Sequence, residues 1–112
     1  MRGGANMDKN IHVSMLLDMY GKLLTSKQYD VVDLYYNQNL SLSEIAEETN
    51  ITRQGVRKNL IDAENKLFDF EEKLCFLKEK LERQEIIENI INMTSDEKTI
   101  ENLQKLLWVW KE

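Results

Sequence analysis

The chain has 112 residues, room for one domain with a modest core. Its 20 acidic residues against 15 basic ones leave a formal charge of −5, which excludes a broadly basic surface and restricts any nucleic-acid contact to a local patch. A single cysteine, Cys75, excludes an internal disulfide, and no apolar run approaches the ~18 residues of a membrane helix. With no signal-peptide h-region at the N-terminus, a cytoplasmic protein is expected.

Residues 1–6 are Gly-containing and featureless and are expected to lie outside the fold, as a disordered N-terminus or a remnant. There is no proline, and no stretch alternates as a strand does, so the fold class is all-α. A first helix is expected over residues 9–24, with Ile11, Met15, Leu16, Met19, Tyr20 and Leu23 as its apolar positions. Thr25 with Gln28 three residues on forms a capping box for a second helix reaching about Tyr36. Asn37, Gln38 and Asn39 form the next loop.

Residues 40–67 have the layout of a helix-turn-helix. Ser41 and Glu44 make a second capping box, and Ile45 and Ala46 face inward on the short helix that follows. Asn50 stands at the turn, where tolerance of positive φ is needed. Thr52 can cap the next helix, on which Val56, Leu60, Ala63 and Leu67 make one apolar stripe. Thr52, Arg53, Gln54, Arg57 and Lys58 lie away from that stripe, and residues 52–61 hold three bases and no acid. Arg and Gln pair with guanine and adenine edges, and Arg and Lys hold phosphates, so these five are the candidate nucleic-acid-binding residues. Ile61 does not fit, because it falls on the polar side.

From Leu67 the apolar spacing changes. Leu67, Phe70, Leu74, Leu77 and Leu81 alternate three and four apart, a seam of about two heptads. Ile86, Ile87, Ile90 and Ile91 widen the apolar surface. Thr94 with Glu97 reads as a capping box for a last helix carrying Ile100, Leu103, Leu106, Leu107 and Trp110. Either these helices fold back on the first half, or they form a homodimer; dimerisation is favoured, with Leu74, Leu77, Leu81, Trp108 and Trp110 at the interface. The expected organisation is a helix-turn-helix domain over 7–67 and a helical dimerisation extension over 68–112.

The stretch Leu24-Thr25 through Leu67 resembles the fourth conserved region of bacterial sigma factors, in Val31-Val32-Asp33-Leu34-Tyr35-Tyr36 and in Leu42-Ser43-Glu44-Ile45-Ala46-Glu47. A closer resemblance is to the YlxM family of small helix-turn-helix proteins. It is carried by Asp18-Met19-Tyr20-Gly21-Lys22-Leu23-Leu24-Thr25, Leu40-Ser41-Leu42-Ser43-Glu44-Ile45-Ala46-Glu47 and Arg53-Gln54-Gly55-Val56. It implies a sigma-region-4-like domain with a C-terminal dimerisation extension. It also implies a bacterial protein encoded beside signal-recognition-particle genes, with a regulatory link to that pathway.

No enzyme is expected. The one histidine, His12, reads as a surface residue, and no His/Cys cluster has metal-ligand spacing. No Gly-rich loop cradles a phosphate, so neither metal nor cofactor is expected. The remaining readings are a dimeric DNA-binding regulator, a protein–protein adaptor of the signal recognition particle pathway, and an RNA binder using the same basic face. DNA is favoured over RNA. The eight acids and five bases of residues 63–92 are what favours the adaptor.

Overall fold

The computed structural model describes residues 2–111 and the side chains of residues 9–107. It is helical from end to end, with no strand among the described residues. In chain order come α1 (Arg2–Tyr20), a 3₁₀ turn (Gly21–Leu23), α2 (Ser26–Val32), a π-turn (Asp33–Asn37), α3 (Leu42–Thr49), α4 (Arg53–Leu74), α5 (Phe76–Met93) and α6 (Glu97–Lys111). No described helix is long and apolar enough to cross a membrane.

The helix starts follow from local hydrogen-bond satisfaction. The first amides of a helix have no partner inside it, and a side-chain oxygen just before the helix can supply one. Thr25 Oγ1 accepts from the Gln28 amide while Gln28 Oε1 accepts from the Thr25 amide, which fixes α2. Ser41 and Glu44 do the same for α3. Asn50 closes α3 in the left-handed region at φ 61°, which an Asn side chain tolerates.

Two compact units divide the chain, Met1–Cys75 and Phe76–Glu112. The boundary expected after Leu67 falls inside α4, which continues to Leu74. In the first unit α1, α2 and α3 all pack on α4. Val56, Ala63 and Leu67 of α4 are fully buried and Leu60 almost so, and they meet Val13, Leu16, Leu17, Tyr20, Val31, Val32 and Ile45 in one core. The stripe buried on α1 is therefore Val13, Leu16, Leu17 and Tyr20, at i, i+3, i+4 and i+7, and Ile11 is exposed. Of the expected set, Leu16 and Tyr20 are buried, while Ile11 and Leu23 are exposed and Met15 and Met19 half-buried, because α1 is apolar on more than one side and the core takes Val13 and Leu17 instead. Helix α1 also begins at Arg2, ahead of the start expected at residue 9.

Two tyrosines tie the border of α4's buried face to the rest of the unit. Tyr20 Oη donates to Glu71 Oε1 at 2.6 Å, and Tyr36 Oη donates to Glu64 Oε2. Burial, then the bond to Glu64, pushes the Tyr36 hydroxyl well above the usual tyrosine range. Lys66 Nζ adds a bond at 3.3 Å to Gln28 Oε1. The π-turn that carries Tyr36 is clamped by Asp33, whose carboxylate accepts from Asn37 Nδ2 at 2.7 Å and Gln38 Nε2 at 3.0 Å. At Gly21 a Cβ would come within 2.7 Å of the Tyr29 ring, so glycine lets that ring lie against the end of α1 without shifting.

The heptad seam is not continuous. Cys75 adopts φ 57° and ends α4, so Leu67, Phe70 and Leu74 belong to one helix and Leu77 and Leu81 to the next. In the second unit α5 and α6 pack against each other. Asp96, not Thr94, caps α6. Its carboxylate accepts from the amide and hydroxyl of Thr99, which holds it below the usual carboxylate range, while Thr94 Oγ1 accepts from the Asp96 amide. Leu77 and Ile87 are buried, whereas Phe76, Leu81, Ile86, Ile90, Met93 and Leu106 are exposed.

The burial of Leu60 makes a direct prediction. Leu60 is 7% exposed. Leu60→Ala should cost about 2–5 kcal/mol and lower Tm by on the order of 10 °C or more in a calorimetric melt. A melt within a degree or two of the parent would contradict the role given to the stripe.

Candidate nucleic-acid interface

The surface of interest is built by the first two and a half turns of α4. Thr52 caps this helix, with its Oγ1 accepting from the Gly55 amide at 3.0 Å and its carbonyl from the Val56 amide at 2.9 Å. A Cβ at Gly55 would lie 3.2 Å from Thr52 Oγ1, so the absence of a side chain leaves the cap room to close. The turn through Asn50 and Ile51, with the Ile51 amide on the Ala46 carbonyl at 3.2 Å, brings α3 against α4. These elements form a helix-turn-helix.

Thr52, Arg53, Gln54, Arg57 and Lys58 are all exposed. They divide into two groups. At about 100° per residue, Gln54 and Lys58 point opposite the buried stripe, while Arg53 and Arg57 lie on one flank of the helix. That flank borders α3, where Arg53, Gln54 and Arg57 line a shallow concavity together with Leu42. Leu42 was not among the residues selected from the sequence. Its position just after the Ser41 cap, at the end of α3 that meets this flank, is the signal that could have found it.

Charge on this surface is not all available. Lys58 Nζ pairs with Asp62 Oδ2 at 3.0 Å, four residues on. The acid-free run from 52 to 61 ends one residue short of this partner. Both side chains are largely exposed, so the pair is worth only about 0.3–0.5 kcal/mol and a phosphate could displace it. Among the described residues no ion pair engages Arg53 or Arg57. Ile61 is 41% exposed, on the outward side as the sequence placed it.

A family profile described as "Putative helix-turn-helix protein, YlxM / p13 like" matches residues 7–107. The chain belongs to this family, UPF0122. It is 45% identical over 104 residues to a UPF0122 protein of Clostridium kluyveri, covering 89% of this chain and 93% of that one. It is 40% identical to a UPF0122 protein of Acetivibrio thermocellus, with 89% of each covered, and 38% identical to the UPF0122 protein YlxM of Bacillus subtilis, with 91% and 93% covered. The match therefore extends beyond the segments 18–56 that carry the resemblance in the sequence, through most of the second unit.

Of the side chains selected for self-association, Leu74 and Leu81 are exposed and Leu77 is buried within its own chain. Trp108 and Trp110 lie outside the described side chains. Among the described residues no group of three or more His, Cys, Asp or Glu side chains could hold a metal ion.

Proposed function

We propose that this UPF0122 protein is a non-enzymatic, cytoplasmic DNA-binding regulator that reads duplex DNA with the N-terminal half of α4. The observation that carries the proposal is the exposure of Thr52, Arg53, Gln54, Arg57 and Lys58 together at the start of a helix whose opposite side is buried. This layout is what a second helix needs in order to enter a major groove without losing its attachment to the domain. Gln54 and the arginines supply base-edge donors, and Arg53, Arg57 and Lys58 supply charge for phosphates. The four helices α1 to α4 are read as a sigma-region-4-like module. A link to the signal recognition particle pathway rests on the family resemblance alone.

Replacing Arg57 and Lys58 together by Ala should weaken binding of a labelled random-sequence duplex. The slope of log K against log salt should fall by up to about two, one for each lost phosphate contact. Measured by anisotropy from low to physiological salt, an unchanged slope would place the contact elsewhere.

The second unit is proposed to form a homodimer. Leu81, Ile86, Ile90, Met93 and Leu106 are exposed on α5 and α6, apolar side chains that a second copy could cover. A dimer would carry two reading helices, as binding to two half-sites requires. Light scattering at micromolar concentration should return twice the chain mass, and a monomeric mass would remove the two-site geometry. The charge of −5 favours a second reading, a protein–protein adaptor of the signal recognition particle pathway, and an RNA-binding component using the same basic face is the remaining alternative. A monomer whose duplex binding is no stronger than that of the Arg57/Lys58 variant would make this the better account.

A further inference from the structure

We infer that Ile61 is a specificity-determining residue that contacts the 5-methyl group of thymine, so that the surface selects thymine-containing DNA over RNA. The inference rests on the DNA reading proposed above and assigns a role to an outward apolar residue that reading leaves without one.

The position of Ile61 carries the argument. It lies seven residues after Gln54, four after Arg57 and three after Lys58, and these spacings put neighbours on one helix face. Val56, Leu60, Ala63 and Leu67 occupy the other side of α4 and are buried, so Ile61 is not a misplaced member of the core. Asn65, one turn further on and exposed, continues the same outward column without charge. The acids nearest in sequence are both committed, Asp62 to Lys58 and Glu64 to Tyr36.

An isolated exposed isoleucine is ordinary on a protein surface. This one is set among cations and amides. An apolar protein partner covering Ile61 would have to bury Arg57 and Lys58 or leave them at its edge, at a desolvation cost. Duplex DNA has no such conflict. Its phosphates meet the cations, and its major groove floor carries one apolar group, the thymine methyl, which aliphatic side chains contact. RNA lacks that methyl, and the major groove of its duplex is too deep and narrow for side chains to read.

The test uses the full chain. Duplexes of about 30 base pairs are selected from a random-sequence pool by the parent protein, and the tightest is resynthesised with uracil replacing each thymine in turn. Uracil removes only the methyl group. At one or more positions the parent should lose about 4-fold in affinity, the worth of one buried methyl at tenfold per 1.4 kcal/mol. Ile61→Ala should bind the thymine duplex about as weakly as the parent binds the uracil duplex, with no further loss on uracil substitution. Because Ile61 is exposed, the variant should retain the parent circular dichroism spectrum and Tm. Equal binding of all uracil duplexes by the parent, or the same uracil penalty in Ile61→Ala, would overturn the assignment while salt-dependent duplex binding upheld the DNA reading. Failure to bind any duplex more tightly than the Arg57/Lys58 double variant does would overturn both.

Discussion

Burial of Val56, Leu60, Ala63 and Leu67 is the constraint on which the first unit depends. These four side chains give α4 a single apolar side, and α1, α2 and α3 each pack on that helix. One helix is therefore both the centre of the core and the support of the polar surface. Its rotation is held by the core and by the two tyrosine–carboxylate bonds, Tyr20 to Glu71 and Tyr36 to Glu64. Where the core ends, at Val56, one further turn carries Arg53 and Gln54 beyond the packed region. The Thr52 cap keeps that turn helical.

The electrostatics follow from the same arrangement. A chain of charge −5 repels a polyanion overall, and several of its acids hold the fold while keeping their charge. Glu64 and Glu71 accept hydrogen bonds from tyrosines, Asp33 clamps the π-turn, and Asp96 caps α6. Asp69 pairs with Lys73 and Glu79 with Arg83 along their own helices. No acid occupies residues 52–61, which concentrates Arg53, Arg57 and Lys58 in one stretch of the chain. Salt screens exposed charges beyond about 8–10 Å, so acids farther than that weigh less on this face at physiological ionic strength than at low salt.

The helix-turn-helix was legible because several local signals agree there. Ser41 and Glu44, Asn50, Thr52 and the four-residue stripe each specify one boundary or one face, and each behaves as its chemistry requires. Where one signal stood alone, reading was weaker. Helix α1 carries apolar residues on several sides, and only the packed structure adds Val13 and Leu17 to Leu16 and Tyr20 and leaves Ile11 outside. The heptad spacing from Leu67 to Leu81 runs across a break that no proline or glycine announces, since Cys75 takes the left-handed conformation itself. Thr94 and Asp96 are both capping residues two apart, and the side chain that reaches the Thr99 amide wins. At the candidate site, exposure and capping could be read from spacing. The Lys58–Asp62 pair and the concavity shared with Leu42 could not, since they depend on which partners the fold brings within reach.

The central claim is that the N-terminal half of α4 is the surface that meets nucleic acid. Amide chemical-shift mapping of the full chain during titration with a short duplex tests it most directly. The account predicts that the largest changes cluster on residues 52–61 and at the start of α3 around Leu42, with small changes along α5 and α6. Changes concentrated on α5 and α6, or none at a duplex concentration well above that of the protein, would contradict it.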